Sequence, residues 1–248
     1  MTGSAARRAP QDLSGPAGQP VAGQPVPGWL SELAQRAAVM PVPPGLQPQP
    51  GGRPAAVLIL FGDGRRGPDL LLVQRGPGLR RHSGQPAFPG GAIDPGDGGP
   101  VQAALREAAE EAGVDPAGVD VLTVLPEFFI RRSRFTVTPV LAWWRQPGPV
   151  SPGDLVEVIE AQRIPVAELA DPANRLAVRP PARLVPAGMT VTTPAFRAGG
   201  MLIWGFTAMV VDRLLALGGW ERPWDDSHPE ELPPDALAAP GPGNGGIS

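Results

Sequence analysis

The segment Val101 to Ala112 (VQAALREAAEEA) constrains this chain more than any other. Pro100 suits a first helical position and Gly113 a stop, so the run predicts the strongest helix of the sequence. That helix places Glu107, Glu110 and Glu111 at i, i+3 and i+4, on one face. Three carboxylates so placed repel one another and, near a helix C-terminus, oppose the macrodipole, each effect costing about 0.3–1 kcal/mol. Arg106 reaches Glu110 at i+4 but neutralises one charge only. The remainder suits a hard divalent cation, Mg²⁺ or Mn²⁺, which takes oxygen ligands. On the other face Val101, Leu105, Ala108 and Ala112 make a narrow apolar stripe, small enough to let the helix lie close to a sheet. An isolated E-x-x-E-E more often describes a solvated acidic face. The preceding segment favours a site: Phe88-Pro89-Gly90-Gly91, then Asp94 and Asp97, is rich in turns whose glycines let backbone approach a ligand.

Around this helix the pattern reads as one mixed α/β domain. Ala55 to Phe61 (AAVLILF) and Leu70 to Gln74 (LLLVQ) predict strands joined by a hairpin loop over 62–68. Val119 to Leu125, Phe135 to Trp144 and Val156 to Pro165 predict three more, the middle one an edge or bulged strand because of Pro139. Trp29, Leu30, Leu33, Ala34 and Ala37 recur at helical spacing, which predicts a short docking helix. Met201 to Leu217 is apolar enough to resemble a membrane span, but its 17 residues lie at the lower limit and Asp212 and Arg213 interrupt it, so a buried core helix is expected. Pro and Gly crowd residues 1–28 and 223–248, which are expected to be a flexible leader and a flexible acidic tail on either side of a domain over 29–222.

Composition removes several function classes. There is no Cys, which excludes disulfide frameworks, thiol nucleophiles and Cys-ligated zinc, and two His leave little for an imidazole metal site. All 21 basic residues are Arg, a bias of composition, and the formal charge is −3, which argues against a dedicated nucleic-acid binder. The start of the chain has no apolar run after its Arg pair, so a cytoplasmic location is expected and no membrane partner.

Read together, Gly91 to Val114 (GAIDPGDGGPVQAALREAAEEAGV) resembles the Nudix box, G-x5-E-x7-R-E-U-x-E-E-x-G-U with U apolar. Its second half is complete in Arg106, Glu107, Ala108, Glu110, Glu111, Gly113 and Val114. In the first half Asp97 stands where the box has Glu, and eight residues rather than seven separate it from Arg106. Upstream, Leu71 to Gly91 (LLVQRGPGLRRHSGQPAFPGG) is similar to the signature of coenzyme A pyrophosphatases within the Nudix superfamily, L-L-T-x-R-[SA]-x3-R-x3-G-x3-[FYW]-P-G-G. Leu71, Leu72, Arg75, Arg80, Gly84, Phe88, Pro89, Gly90 and Gly91 match; Val73 and Gly76 depart.

The resemblance implies an α/β/α sandwich around a mixed sheet and a hydrolase that splits coenzyme A or its thioesters into 3′,5′-ADP and a 4′-phosphopantetheine product. Hydrolysis of a pyrophosphate needs cations to screen its oxygens and a carboxylate to position or deprotonate water. Glu107, Glu110 and Glu111 are the expected metal ligands, with Glu110, Glu111 and Glu157 the expected catalytic carboxylates and Glu160 a second candidate near Glu157. Arg75, Arg80, Arg81 and His82 can meet substrate phosphates through charge-assisted hydrogen bonds, and coenzyme A carries an additional 3′-phosphate that suits an Arg-rich loop. Phe88, Gly90 and Gly91 complete the expected binding set. Arg131, Arg132 and Arg134 form a second cluster outside every motif, read as solvated, and Trp143, Trp144 and Trp204 are read first as core. Two other readings stay open: a Nudix enzyme acting on ADP-ribose, a nucleoside diphosphate sugar or a nucleoside triphosphate, and a non-catalytic Nudix-fold binding module. The expected partners are a small-molecule substrate and, at most, a second copy of the chain.

Overall fold

A computed structural model of the chain describes residues 23–75, 85–153, 158–180 and 191–232. In order they form α1 (Gly28–Ala37), β1 (Arg53–Gly64), β2 (Gly67–Arg75), β3 (Pro86–Ala87), β4 (Gly90–Ala92), α2 (Pro100–Ala112), β5 (Val119–Val124), β6 (Phe128–Ile130), β7 (Phe135–Trp144), β8 (Val158–Pro165), α3 (Val166–Leu169), β9 (Arg175–Arg179), β10 (Thr193–Ala198), β11 (Met201–Ile203), α4 (Gly205–Leu217) and β12 (Glu230–Glu231).

The main sheet runs β3-β2-β1-β7-β5, with β4 on β1, β6 on β7 and β8 on β2. β1 and β7 are parallel and the other pairs antiparallel, so the sheet is mixed, as the sequence implies. Side chains alternate between faces along each strand. Ile59, Phe61, Leu141 and Trp143 face one core with α1 and α4, while Ala56, Leu58, Leu60, Val140, Ala142 and Trp144 face another with α2. Each fully buried Leu in these layers contributes about 1.5–3 kcal/mol by leaving water. The result is a sandwich with helices on both faces. A second sheet, β11-β10-β9-β12, is attached beside it.

Several expectations shift. The 62–68 loop shrinks to the turn at Arg65 and Arg66, because β1 and β2 stay paired as far as Gly64 and Gly67. β7 is a central strand, not an edge, and the register irregularity lies in its neighbour β5. Pro139 is tolerated there because it falls where β5 gives way to β6, with its carbonyl accepting the Leu125 N–H at 2.9 Å. Met201–Ile203 leaves the expected core helix to form β11, and α4 begins at Gly205. Among the described residues no helix is long and apolar enough to cross a membrane. Residues at the expected tail boundary also pair with the domain: β12 lies parallel to β9, Arg197 binds Glu230 through both terminal nitrogens, and Leu232 is buried. On the leader side, Gln24 bonds Arg145 through its N–H and accepts the Trp143 indole N–H at 3.0 Å.

The apolar stripe of α2 is rotated from its expected position. Ala103, Ala104, Ala108 and Ala112 are fully buried against the sheet, and Val101 and Leu105 flank them. Close approach to β1 requires side chains no larger than methyl at the contact. Ala108→Leu should therefore force the helix off the sheet and cost about 1–3 kcal/mol in urea unfolding, whereas Gln102→Leu on the exposed side should stay within about 0.5 kcal/mol.

Candidate active site

The N-terminal half of β1 sets the floor of the site. Ala55, Ala56 and Val57 pair with Ala92, Gly91 and Gly90, and Ala56 also stands opposite Thr138 of β7. Gly91, Ala56 and Thr138 therefore form one row on the face that carries α2. A Cβ on Gly90 (φ 158) would collide with the backbone of Ala56 and Val57, and one on Gly91 would collide with the Glu107 carboxylate. Both positions are glycine because backbone must pass between the sheet and the acidic helix.

α2 starts with Pro100 in its first turn and ends on Gly113 in a left-handed conformation (φ 69), as the sequence requires. Its carboxylates take three different environments. Glu111 is buried, 5% exposed, and its Oε2 accepts the Gly90 N–H at 2.9 Å. The Glu107 side chain is 17% exposed and that of Glu110 59%. Arg106 Nη1 stands 2.9 Å from Glu107 Oε1 and 3.1 Å from Glu110 Oε2, so the two carboxylates share one guanidinium nitrogen.

Arg106 does more than the i+4 pairing expected of it. Its Nε and Nη2 form a fork on Asp97 at 3.0 and 2.9 Å, and Nη2 also donates to Ala92 O at 3.2 Å. Asp97 in turn accepts the Asp94 N–H at 2.8 Å. The Arg106 hydrogen bonds, with help from the Asp94 N–H, hold the Asp97 carboxyl below its ordinary range, and the Arg106 guanidinium is correspondingly harder to deprotonate. Asp97 thus ties the Gly-rich loop to the helix.

The C-terminal end of α2 is capped by the segment after β7. Ser151 N–H donates to Ala112 O at 3.4 Å and Gly153 N–H to Glu111 O at 3.2 Å, and Gly153 lies directly on the Glu110 carbonyl. The chain passes there on its way to Val158, which packs in the α2 core. Glu157 itself lies outside the described residues, as do Arg80, Arg81 and His82; Arg75 ends β2 opposite Val158. Glu160 stands opposite Gln74, next to Leu72 of the α4 core, so β8 turns it away from α2.

One expected ligand is core, and two tryptophans read first as core are core. Phe88 is 1% exposed and buried with Leu30, Phe128 and Trp143, so its ring supports the loop from beneath and has no surface left for substrate. Trp143 and Trp144 are fully buried on opposite faces of β7. Glu127 carries no motif signal, yet Thr138 donates to its Oε1 at 3.2 Å, which places a carboxylate beside the Gly91 row. Only the register of β7 reveals it.

Among the described residues no three carboxylate or imidazole groups converge as a closed metal cage. The donor set nevertheless fits Mg²⁺ or Mn²⁺ in kind. It is all oxygen, with Glu110 open to solvent and Glu107 beside it, and such ions keep several waters and bind through one or two carboxylates plus substrate phosphates.

A family model for the NUDIX domain matches residues 51–185, more than half of the chain. The chain belongs to the Nudix family of pyrophosphohydrolases. It is 35% identical over 199 residues to the uncharacterized Nudix hydrolase NudL of Cronobacter sakazakii, covering 78% of this chain and 88% of that protein. It is 48% identical over 101 residues to its Klebsiella pneumoniae counterpart, covering 39% of this chain but 52% of the relative, so that match spans about half the relative's length. Among solved structures, the Nudix hydrolase RenU of M. smegmatis is 30% identical over 46% of this chain and 70% of its own, with a TM-score of 0.36. The matched stretch contains Gly91–Val114, the segment that resembles the Nudix box, and with it α2.

The Arg106–Asp97 fork gives the Nudix loop a defined acid response. A carboxyl whose folded pKa is depressed stabilises the fold above its unfolded pKa, about 3.9, and loses that contribution as pH falls through the folded value. Thermal unfolding of wild type and Asp97→Asn should therefore differ at neutral pH and converge as the medium is acidified below pH about 4. A gap that stays constant down to pH about 2 would exclude the charge of Asp97 as its source.

Proposed function

We propose that the chain is a divalent-metal-dependent hydrolase of the pyrophosphate bond in coenzyme A or its derivatives, releasing 3′,5′-ADP and a 4′-phosphopantetheine product. The observation that carries the reading is the Arg106 cluster, in which one guanidinium holds Glu107 and Glu110 side by side on the Nudix helix beside the glycine floor. Glu107, Glu110 and Glu111 would hold Mg²⁺ or Mn²⁺, which when bound neutralises pyrophosphate oxygens and favours attack by water. Glu111 accepts the Gly90 N–H, which orients its carboxylate toward the glycine floor. Glu110, the most exposed of the three, would meet both metal and water. Glu157, which lies outside the described residues, would serve the same chemistry. Arg75, Arg80, Arg81 and His82 would receive the phosphates.

The choice of coenzyme A rests on the signature Leu71–Gly91, whose glycines the structure uses as floor and whose Phe88 it uses as core. Family membership is equally compatible with ADP-ribose or another nucleoside diphosphate derivative. A hydrolysis panel of coenzyme A, acyl-coenzyme A, ADP-ribose, NADH and nucleoside triphosphates with Mg²⁺ decides between them by the products formed. Coenzyme A should give 3′,5′-ADP fastest, and a faster release of AMP from ADP-ribose would move the chain to the other substrate class. Glu110→Gln and Glu111→Gln should each lower kcat by about 10²-fold or more without moving the unfolding midpoint, since Gln at 111 can still accept the Gly90 N–H. Near-wild-type turnover in either would exclude that carboxylate from the reaction.

A further inference from the structure

The arginines of the turn between β6 and β7 are unused by the catalytic reading. Arg131, Arg132 and Arg134 occupy that turn, and its shape is fixed from within. Arg134 adopts a left-handed backbone (φ 58), uncommon for a residue with a long side chain. Its N–H donates to Ile130 O and its carbonyl accepts the Arg53 N–H, both at 2.8 Å. The Ser133 hydroxyl accepts the Phe135 N–H at 3.4 Å. Arg53 braces the turn a second time, with Nη2 on Ser133 O at 3.2 Å and its guanidinium 4.2 Å over the Phe135 ring. The Arg53 charge is committed to that brace.

The three turn arginines differ from Arg53 in this respect. Among the described residues no carboxylate lies within ion-pair distance of any of them, whereas Arg66, Arg106, Arg145, Arg163, Arg175 and Arg197 each meet one. Three like charges within four residues repel one another, and a fixed turn holds them together. The turn also stands at the catalytic end of the sheet. Arg53, to which it is bonded, lies three residues before Ala56, and Ala56 pairs with Gly91 beneath Glu107. At about 3.3 Å per residue and about 4.8 Å between strands, Arg53 is on the order of 11 Å from Gly91.

We propose that Arg131, Arg132 and Arg134 bind a phosphate of the substrate outside the scissile anhydride, a phosphomonoester on its nucleoside part, which in coenzyme A is the 3′-phosphate. The inference rests on the preceding assignment of the pyrophosphate to the α2 face. A dianionic phosphate on that part of the substrate needs positive charge away from the three glutamates, and guanidinium groups bind it through paired N–H donors. The rival site is the signature loop that carries Arg80.

The test is calorimetric binding of 3′,5′-ADP and 5′-AMP to the full chain, wild type against Arg131→Ala/Arg132→Ala, whose side chains take no part in bracing the turn. Wild type should prefer 3′,5′-ADP, and the double variant should lose about tenfold or more for it and less than about twofold for 5′-AMP. The charge reversal Arg131→Glu/Arg132→Glu should deepen the selective loss, with the unfolding midpoint unchanged. Equal losses for both nucleotides, no loss, or a selective loss in Arg80→Ala alone overturns the assignment. Turnover of coenzyme A and its 3′-dephospho form, followed in parallel, separates the two levels. If neither is hydrolysed while the binding preference and its loss persist, the substrate assignment fails and the phosphate site stands.

Discussion

One guanidinium organises the catalytic end of this molecule. Arg106 bonds Asp97 in the loop, Ala92 at the end of β4, and Glu107 and Glu110 on its own helix. Without it, the repulsion of the acidic face and the entropy of a loop with glycine at 90, 91, 96, 98 and 99 would act together against the site. With it, the loop is attached to the helix at one point and the carboxylates are held side by side. Exposed ion pairs contribute little, but the Asp97 side chain is only 6% exposed and the pairing is a two-nitrogen fork, the geometry in which arginine is most specific.

That point of attachment depends on the sheet beneath. The site lies where β1 is paired on one side with β4 and on the other with β7, so Gly91, Ala56 and Thr138 share a row. A slip of one residue in either pairing would turn this row to the opposite face. The buried apolar layers of β1 and β7 oppose such a slip, because Ile59 and Leu141 would exchange places with Leu58 and Val140. Core packing thus sets the position of a polar site some residues away. The closeness of α2 to β1, made possible by four alanines, brings Glu111 within reach of the Gly90 N–H.

Sequence alone showed a good deal of this arrangement, and its failures have physical causes. The helix limits, the acidic face and β7 were legible because they rest on local periodicity and on Pro and Gly with fixed conformational preferences. The central place of β7 was not, since Pro139 is normally an edge residue and only a gap between β5 and β6 makes it tolerable. The motif puts Phe88 among the expected ligands, whereas in the structure that position is core. By sequence Asp97 is an imperfect motif residue; its fork to Arg106 depends on how the loop folds back onto the helix. Glu127 and the bracing of the arginine turn depend on strand register, which leaves no local trace.

The central claim is that the acidic face of α2 holds the divalent ion of a hydrolase. Titration of the full chain with Mn²⁺, followed by the loss of the free-ion electron paramagnetic resonance signal, tests it without reference to any substrate. Wild type should sequester the ion in competition with Mg²⁺, and Glu107→Gln/Glu110→Gln should release it at an unchanged unfolding midpoint. Undiminished Mn²⁺ binding in that folded double variant would contradict the account.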